Sequence, residues 1–260
     1  MGKTKTVGGR PPFDALGPEQ VLDAVEAAGF RCDGRFLALN SYENRVYQVG
    51  LEDAEPLVAK FYRPGRWSDE AILEEHAFSI QLAAAEIPVV APLEVNGRTL
   101  LKHAGFRFAL FPRRGGHWPE LATTEDREWV GRFLGRIHAL GATATFRHRP
   151  TLDVESFGVE PAQYLTENGW IPDHMVGTYR DLVDALLERI RAAYQRAGRI
   201  RHIRLHGDCH PGNILWTDTG PHFVDLDDCR NGPAVQDLWM LLSGDRTEQS
   251  VQLADILAGY

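Results

Sequence analysis

Leu205-His206-Gly207-Asp208-Cys209-His210-Pro211-Gly212-Asn213, followed by Phe223-Val224-Asp225-Leu226-Asp227, is the stretch whose reading decides this chain. Asp208 and Asn213 have the Asp-x-x-x-x-Asn spacing of a kinase catalytic loop. In such a loop the Asp accepts the proton of an acceptor hydroxyl and the Asn holds magnesium. Pro211-Gly212 forces a turn that presents Asn213. Asp225 follows a short apolar run and stands where kinases keep a second metal carboxylate. Magnesium is hard, takes oxygen ligands and usually borrows some from phosphates. Two carboxylates and an amide fit that demand.

The same residues admit another reading. His206, Asp208 and His210 alternate, and in an extended segment alternate residues share a side. A His-x-Asp-x-His run of that kind could chelate zinc in a hydrolase. A zinc site has no use for Asn213 or Asp225, so phosphoryl transfer is the stronger reading.

Moving upstream, Lys60 lies in the apolar strand pattern Leu57-Val58-Ala59-Lys60-Phe61-Tyr62, close to the Val-Ala-Ile-Lys pattern of kinases. A lysine there binds α- and β-phosphates as a point charge. Such a lysine needs a glutamate on the following helix. Glu70, Glu74 and Glu75 are the choices, with Glu75 favoured and Glu74 second. No Gly-x-Gly-x-x-Gly joins the first two strands. Asn40, Ser41 and Asn44 occupy that turn, where their hydroxyl and amide groups could reach phosphate oxygens. His206 reads as a buried support of the loop. Asp237, ahead of an apolar helix, reads as a helix cap or as a brace beneath the loop.

The patterning around these residues predicts an α+β chain of two lobes. Residues 13–112 carry a helix at 18–28 and strands at 36–39, 45–49 and 57–62. A long helix follows at 67–85 with Ser68 as its cap, then short strands near 93–95 and 106–111. The Gly-, Pro- and Arg-rich stretch 112–117 is a boundary. Residues 113–260 turn helical, at 124–140, 180–197, 234–243 and 248–257. Residues 1–12 are polar, basic and Gly-rich, lack the apolar core of a signal peptide, and read as a disordered leader.

Composition narrows the function classes. The 260 residues are 43% hydrophobic and 25% charged with a net charge of −8, which argues against nucleic acid as the main partner. No apolar run is long enough to span a bilayer. Three cysteines, Cys32, Cys209 and Cys229, are too scattered for a disulfide framework and suit a reduced, cytoplasmic protein. Nothing in the sequence demands more than a monomer.

Taken together, five segments resemble the aminoglycoside phosphotransferase and choline kinase superfamily, which shares the protein-kinase fold. They are Leu39-Asn40-Ser41-Tyr42-Glu43-Asn44-Arg45-Val46-Tyr47-Gln48, Lys60-Phe61-Tyr62-Arg63-Pro64, Glu74-Glu75-His76, and residues 205–216 and 223–242. The match is strongest to the branch of bacterial Ser/Thr protein kinases that serve stress responses. The resemblance implies a two-lobed fold with a small antiparallel sheet and one main helix in the first lobe. It implies ATP and magnesium as cofactors and a protein bearing a Ser or Thr hydroxyl as acceptor. Asp208 would be the base. Asn213 and Asp225 would hold magnesium, with Asp227 as a possible further ligand. Ser41 would touch ATP and Lys60 its phosphates, while the backbone at Phe111 and Pro112 would meet adenine. Two departures stand out. Leu226-Asp227 replaces Phe-Gly after the metal Asp, and no activation loop of usual length follows. Members of the family also usually continue beyond the point matching Tyr260, with helices that close the acceptor side. A small-molecule kinase acting on an aminoglycoside, choline or homoserine, and a nucleotide-binding module without catalysis, are the alternatives that share these motifs.

Overall fold

A computed structural model describes residues 12–260. The expected leader lies outside them except for Pro12, which opens a turn. The chain forms two units. One holds the described residues through Ala84 with Val89–Gly115, and the other holds Ala85–Pro88 with Gly116–Tyr260.

The first unit starts with helix α1 (Pro18–Ala27). Its Pro stands at the first helical position, where no N–H is needed, and Gly29 ends it at a φ of 97°. Five antiparallel strands follow: β1 (Cys32–Leu39), β2 (Arg45–Leu51), β3 (Leu57–Phe61), β4 (Leu101–His103) and β5 (Phe106–Pro112), in the order β1-β2-β3-β5-β4. β3 is central and almost wholly buried. Its Leu57, Ala59 and Phe61 pack with Val49, Phe108 and Leu110 and with Val21 and Val25 of α1, and the rings of Phe61 and Phe108 stack at 5.2 Å. Each large side chain buried there is worth about 1.5–3 kcal/mol. The alternate residues of β3 face the other way. On that side Tyr62 clusters with Ala109, Lys60's partner across the sheet, and with Ile72 of α2 (Asp69–Ala84). Ser68 caps α2, its Oγ accepting the Ala71 N–H at 3.1 Å.

The strand expected near residues 93–95 is not one. Val95 makes an isolated bridge to Arg98 across Asn96 and Gly97, both at positive φ. The fifth strand is Leu101–His103, tied to β5 by Ala104-Gly105, again both at positive φ. That is the turn geometry that suits a two-residue hairpin.

The second unit opens with α3 (Thr124–Gly141), whose start is fixed by a reciprocal cap between Thr123 and Asp126. A π turn (Glu155–Val159), α4 (Glu160–Glu167) and α5 (Val176–Ala197) follow. Then come β6 (Ile203–Leu205), the hairpin β7 (Ile214–Thr217) and β8 (Gly220–Phe223), and β9 (Arg230–Gly232), which pairs with β6. α6 (Val235–Trp239) and α7 (Arg246–Gly259) complete it. The helix expected over 234–243 is thus a five-residue turn. The lobes expected at 13–112 and 113–260 divide instead after Gly115. Ala85–Pro88 goes with the second unit, where the Ala85 carbonyl accepts Arg136 at 2.7 Å and the Pro88 carbonyl accepts the Phe223 N–H at 2.7 Å. No helix among the described residues is long and apolar enough to cross a membrane.

α3 and α7 approach so closely that only glycine fits between them. A Cβ at Gly131 would lie under 3.0 Å from the Ile256 carbonyl, and one at Gly259 equally close to that of Glu128. Gly131→Ala is therefore expected to cost about 1–3 kcal/mol and several degrees of thermal midpoint, despite alanine's better helix propensity. Gly177→Ala, in open space on α5, serves as the control. Calorimetric midpoints that rise equally for both variants would contradict the close approach.

Candidate active site

The loop after β6 is shaped from beneath. Gly207 sits at a φ of 87°, and a Cβ there would strike the Asp228 carbonyl. Only glycine meets both demands. The amides on either side of that bend, His206 N–H and Gly207 N–H, donate to Asp237 Oδ2 and Oδ1 at 2.9 and 2.8 Å. Asp237 comes from α6 and is 0% exposed. Its Oδ2 also accepts His138 Nε2–H from α3 at 3.0 Å. Burial alone would raise the Asp237 carboxyl, but the His138 hydrogen bond and charge, the nearby His206 and the Gly207 amide together hold it below the ordinary range. Asp237 is a brace and not a cap.

This bend presents Asp208. A 3₁₀ turn, Pro211–Asn213, brings Asn213 back so that its Nδ2 donates to the Asp208 carbonyl at 2.9 Å and to Asp208 Oδ2 at 3.2 Å. With its amide nitrogen committed, Asn213 has its amide oxygen left for a cation. His210 Nδ1 accepts the Gly212 N–H at 3.0 Å, and its Nε2 lies 3.5 Å from Asp208 Oδ2. Asp225 is joined to this group through the backbone, because the Val224 N–H donates to the Asn213 carbonyl at 3.0 Å. Asp225 is exposed and left-handed, at φ 58° and ψ 63°. Aspartate tolerates that region better than most residues, at a cost of about 1–2 kcal/mol. No sequence pattern announces the strain.

Asp208 and Asn213 are thus hydrogen-bonded directly, and the residue before Asp225 bonds the Asn213 carbonyl. Asp227, the expected further ligand, is 4% exposed with its carbonyl held by Arg149, whereas Asp225 is exposed. His206 is fully buried, with Nε2–H donating to the Val224 carbonyl at 2.9 Å and Nδ1 facing the Asp208 N–H at 3.4 Å. Neither nitrogen has a lone pair to spare for zinc.

In the first unit, Lys60 Nζ lies 3.2 Å from Glu75 Oε1, at exposures of 5% and 2%. Glu70 is exposed and Glu74 half-buried. The Lys60 ammonium also sits 5.2 Å from the centre of the Tyr62 ring. Tyr62 Oη and His76 Nε2 are 2.7 Å apart, and His76 Nδ1 is 2.8 Å from Thr99 Oγ1. The sequence reading missed this chain, although the alternation of Lys60 and Tyr62 on one strand face was its signal. Asn44, expected to offer donors to phosphate, is 3% exposed, and its Oδ1 accepts the Arg63 N–H at 3.1 Å. It locks the β1–β2 turn to the end of β3. Ser41 stays in that turn, half-buried. Phe111 stands opposite Val58, beyond the last β4 pairing at Phe108, with its ring edge-on to His76 at 6.4 Å.

An aspartate–asparagine pair on a glycine bend and a buried lysine–glutamate pair on an antiparallel sheet are the groups the structure sets out. The chain belongs to the phosphotransferase enzyme family, whose model matches residues 35–260. It is 48% identical over 248 residues to stress response kinase A of Escherichia coli K12, a match covering 95% of this chain and 75% of the relative. With the same coverage it is 46% identical to serine/threonine protein kinase RdoA of Salmonella typhimurium LT2. Among solved structures, amicoumacin kinase hAmiN in complex with AMP-PNP, Ca²⁺ and Ami superposes with a TM-score of 0.72 at 19% identity, over 90% of this chain and 75% of that one. Spectinomycin phosphotransferase follows with a TM-score of 0.65 at 13% identity, over 93% and 79%. These two share the fold.

Asp237 makes the second unit's stability depend on acid in a defined direction. A carboxyl held low in the folded state contributes stability that is complete above its unfolded pKa, about 4, and is lost as pH falls through the folded value. Asp237→Asn is expected to cost about 1–3 kcal/mol at pH 7, since one loop amide or His138 then faces an NH₂. The gap from wild type should hold constant down to about pH 5 and narrow below about pH 4. Urea unfolding from pH 7 to pH 3 measures it, and a gap that widens in acid has the wrong sign.

Proposed function

We propose that this chain is an ATP- and magnesium-dependent Ser/Thr protein kinase of a bacterial stress response, working as a monomer in the cytoplasm. The observation that carries the reading is the Asp208–Asn213 pair on its braced loop. It supplies a fixed carboxylate and an oriented amide oxygen side by side. The identity of nearly half to a serine/threonine protein kinase, across 95% of the chain, supports a protein acceptor over the small molecules named for the more distant structures.

Asp208 takes the proton of the acceptor hydroxyl as its oxygen attacks the γ-phosphorus, while the bond from the γ-phosphorus to the bridging β-phosphate oxygen breaks and ADP leaves. Asn213 Oδ1 and the exposed Asp225 carboxylate are hard oxygen donors and fit magnesium, with phosphate oxygens completing the shell. The ion, when bound, neutralises charge on the transferring phosphate. Lys60, held straight by Glu75, adds a point charge for the α- and β-phosphates. Ser41 offers a hydroxyl to the nucleotide, and the backbone at Phe111 and Pro112 offers its polar groups to adenine.

Asp208→Asn is expected to lower kcat by about 10²–10⁴ while ATP affinity stays within a factor of about two, because the base acts only in the transfer step. Transfer from labelled ATP to a generic protein acceptor and to a panel of amino alcohols and aminoglycosides reads this. It also sorts acceptor classes: transfer confined to the small molecules would replace the protein-kinase reading.

For the metal, Asp225→Asn is the informative change, because asparagine also accepts left-handed backbone and removes only the charge. It should weaken ATP binding in magnesium by about tenfold or more and leave binding in EDTA unchanged. Calorimetry that finds equal losses with and without magnesium would remove Asp225 from the metal site.

A further inference from the structure

Below the catalytic loop, the hydrogen bonds continue past Asp237. His138 Nδ1 lies 2.7 Å from the Tyr260 hydroxyl, and the two rings meet edge-on at 5.5 Å. Asp237 accepts at both oxygens, so His138 Nε2 carries the proton it gives to Oδ2. On the far side of the ring Nδ1 faces the Tyr260 hydroxyl, a group that can donate or accept. Burial and the Asp237 charge raise the Tyr260 pKa, so the hydroxyl keeps its proton. The chain runs from the Tyr260 hydroxyl through His138 and Asp237 to the amides of His206 and Gly207, the two residues before Asp208.

We infer that Tyr260 and His138 are positioning residues for Asp208: they set the height and tilt of Asp237, and through its two oxygens the bend that aims the base. This rests on the reading of Asp208 as the base. Tyr260 follows the last turn of α7, and α7 reaches α3 through the glycine contacts at Gly131 and Gly259. The same interface that closes the helices therefore delivers the hydroxyl to His138. A bracing chain that only stabilised the fold could end anywhere under the loop. This one ends on the two consecutive amides whose torsions direct the Asp208 side chain, and errors well below 1 Å there matter to transfer.

The test uses the full chain, labelled ATP with magnesium, and casein or water as acceptor. Tyr260→Phe should lower kcat by about threefold to tenfold, and His138→Leu by about a hundredfold, each with the KM for ATP within about twofold. His138→Gln should recover most of the loss, because its amide donates at one end and accepts at the other. Hydrogen exchange at the His206 and Gly207 amides gives a readout independent of activity. Protection there should fall in Tyr260→Phe and His138→Leu and return in His138→Gln. Variants that lose only thermal midpoint, with kcat and amide protection unmoved, would overturn the inference and leave a structural contact. Equal kcat for His138→Gln and His138→Leu would overturn it as well. Asp208→Asn in the same assay separates the two levels. If that variant is inactive and Tyr260→Phe and His138→Leu match wild type, the positioning fails and the base stands. If Asp208→Asn is active, the base assignment fails first.

Discussion

One buried carboxylate, Asp237, holds the loop after β6 to its geometry. Bringing an ion such as Asp237 out of water costs several kcal/mol unless donors replace the water. Its donors come from separate places: an imidazole on α3 and two successive amides of the loop after β6. None can be absent without leaving a charge short of partners in a dry interior. The helix, the loop and α6 must therefore be assembled together or not at all. From above, the Asp228 carbonyl closes on Gly207 so tightly that no side chain fits. The pairing of Leu205 with Arg230 fixes how far apart those two segments lie. A bend gripped on both sides has one conformation, and Asp208 inherits its direction from it.

The lysine–glutamate pair of the other unit follows the same logic with a different balance. A buried ion pair is poor evidence of stability, since apolar residues of the same volume often serve as well. Lys60 and Glu75 sit where β3 and α2 pack, among residues that are otherwise apolar. The Tyr62–His76–Thr99 chain beside them adds further polar groups, each with a partner. Such an arrangement keeps the Lys60 charge in place, with its solvation replaced by fixed groups.

Local signals carried most of this into the sequence. Asp208 to Asn213 was legible because one Pro-Gly turn determines where Asn213 goes, and nothing distant is needed. The Lys60 strand and its helix were legible through their periods of 2 and 3.6 residues. What the sequence does not announce has a common cause. The burial of Asn44 and Asp227 goes with bonds from Arg63 and Arg149, which are distant in sequence and whose approach no local pattern encodes. β6 and β9 are three residues each and exist only because they pair across more than twenty positions. β4 was displaced because Leu93-Glu94-Val95 alternates apolar and polar residues as a strand does, while the turn at Ala104-Gly105, which makes the real hairpin, contains an alanine where a polar turn residue is the usual sign. The left-handed Asp225 belongs to the site alone.

The stretch from Asp225 to Asp237 bears on how the site can be controlled. A segment that switches by ordering must have backbone groups to spare in its free state. Here they are in use. Cys229 N–H bonds the Leu226 carbonyl, Asn231 N–H bonds that of Pro150, and the Asn231 carbonyl accepts Leu152 N–H. The Asn231 side chain closes both ends of Phe146. Pro233 then leads straight into α6 and its bracing carboxylate. The stretch between Asp225 and the brace is thus pinned at several points. Cys209 is buried beside Asp208, and burial, then the charges of Asp237 and Asp208, push its pKa well up, which disfavours the thiolate that oxidation needs. The loop after β6 is held on both faces, by the Asp237 carboxylate below and by the Asp228 carbonyl above, and its direction is set by groups outside it.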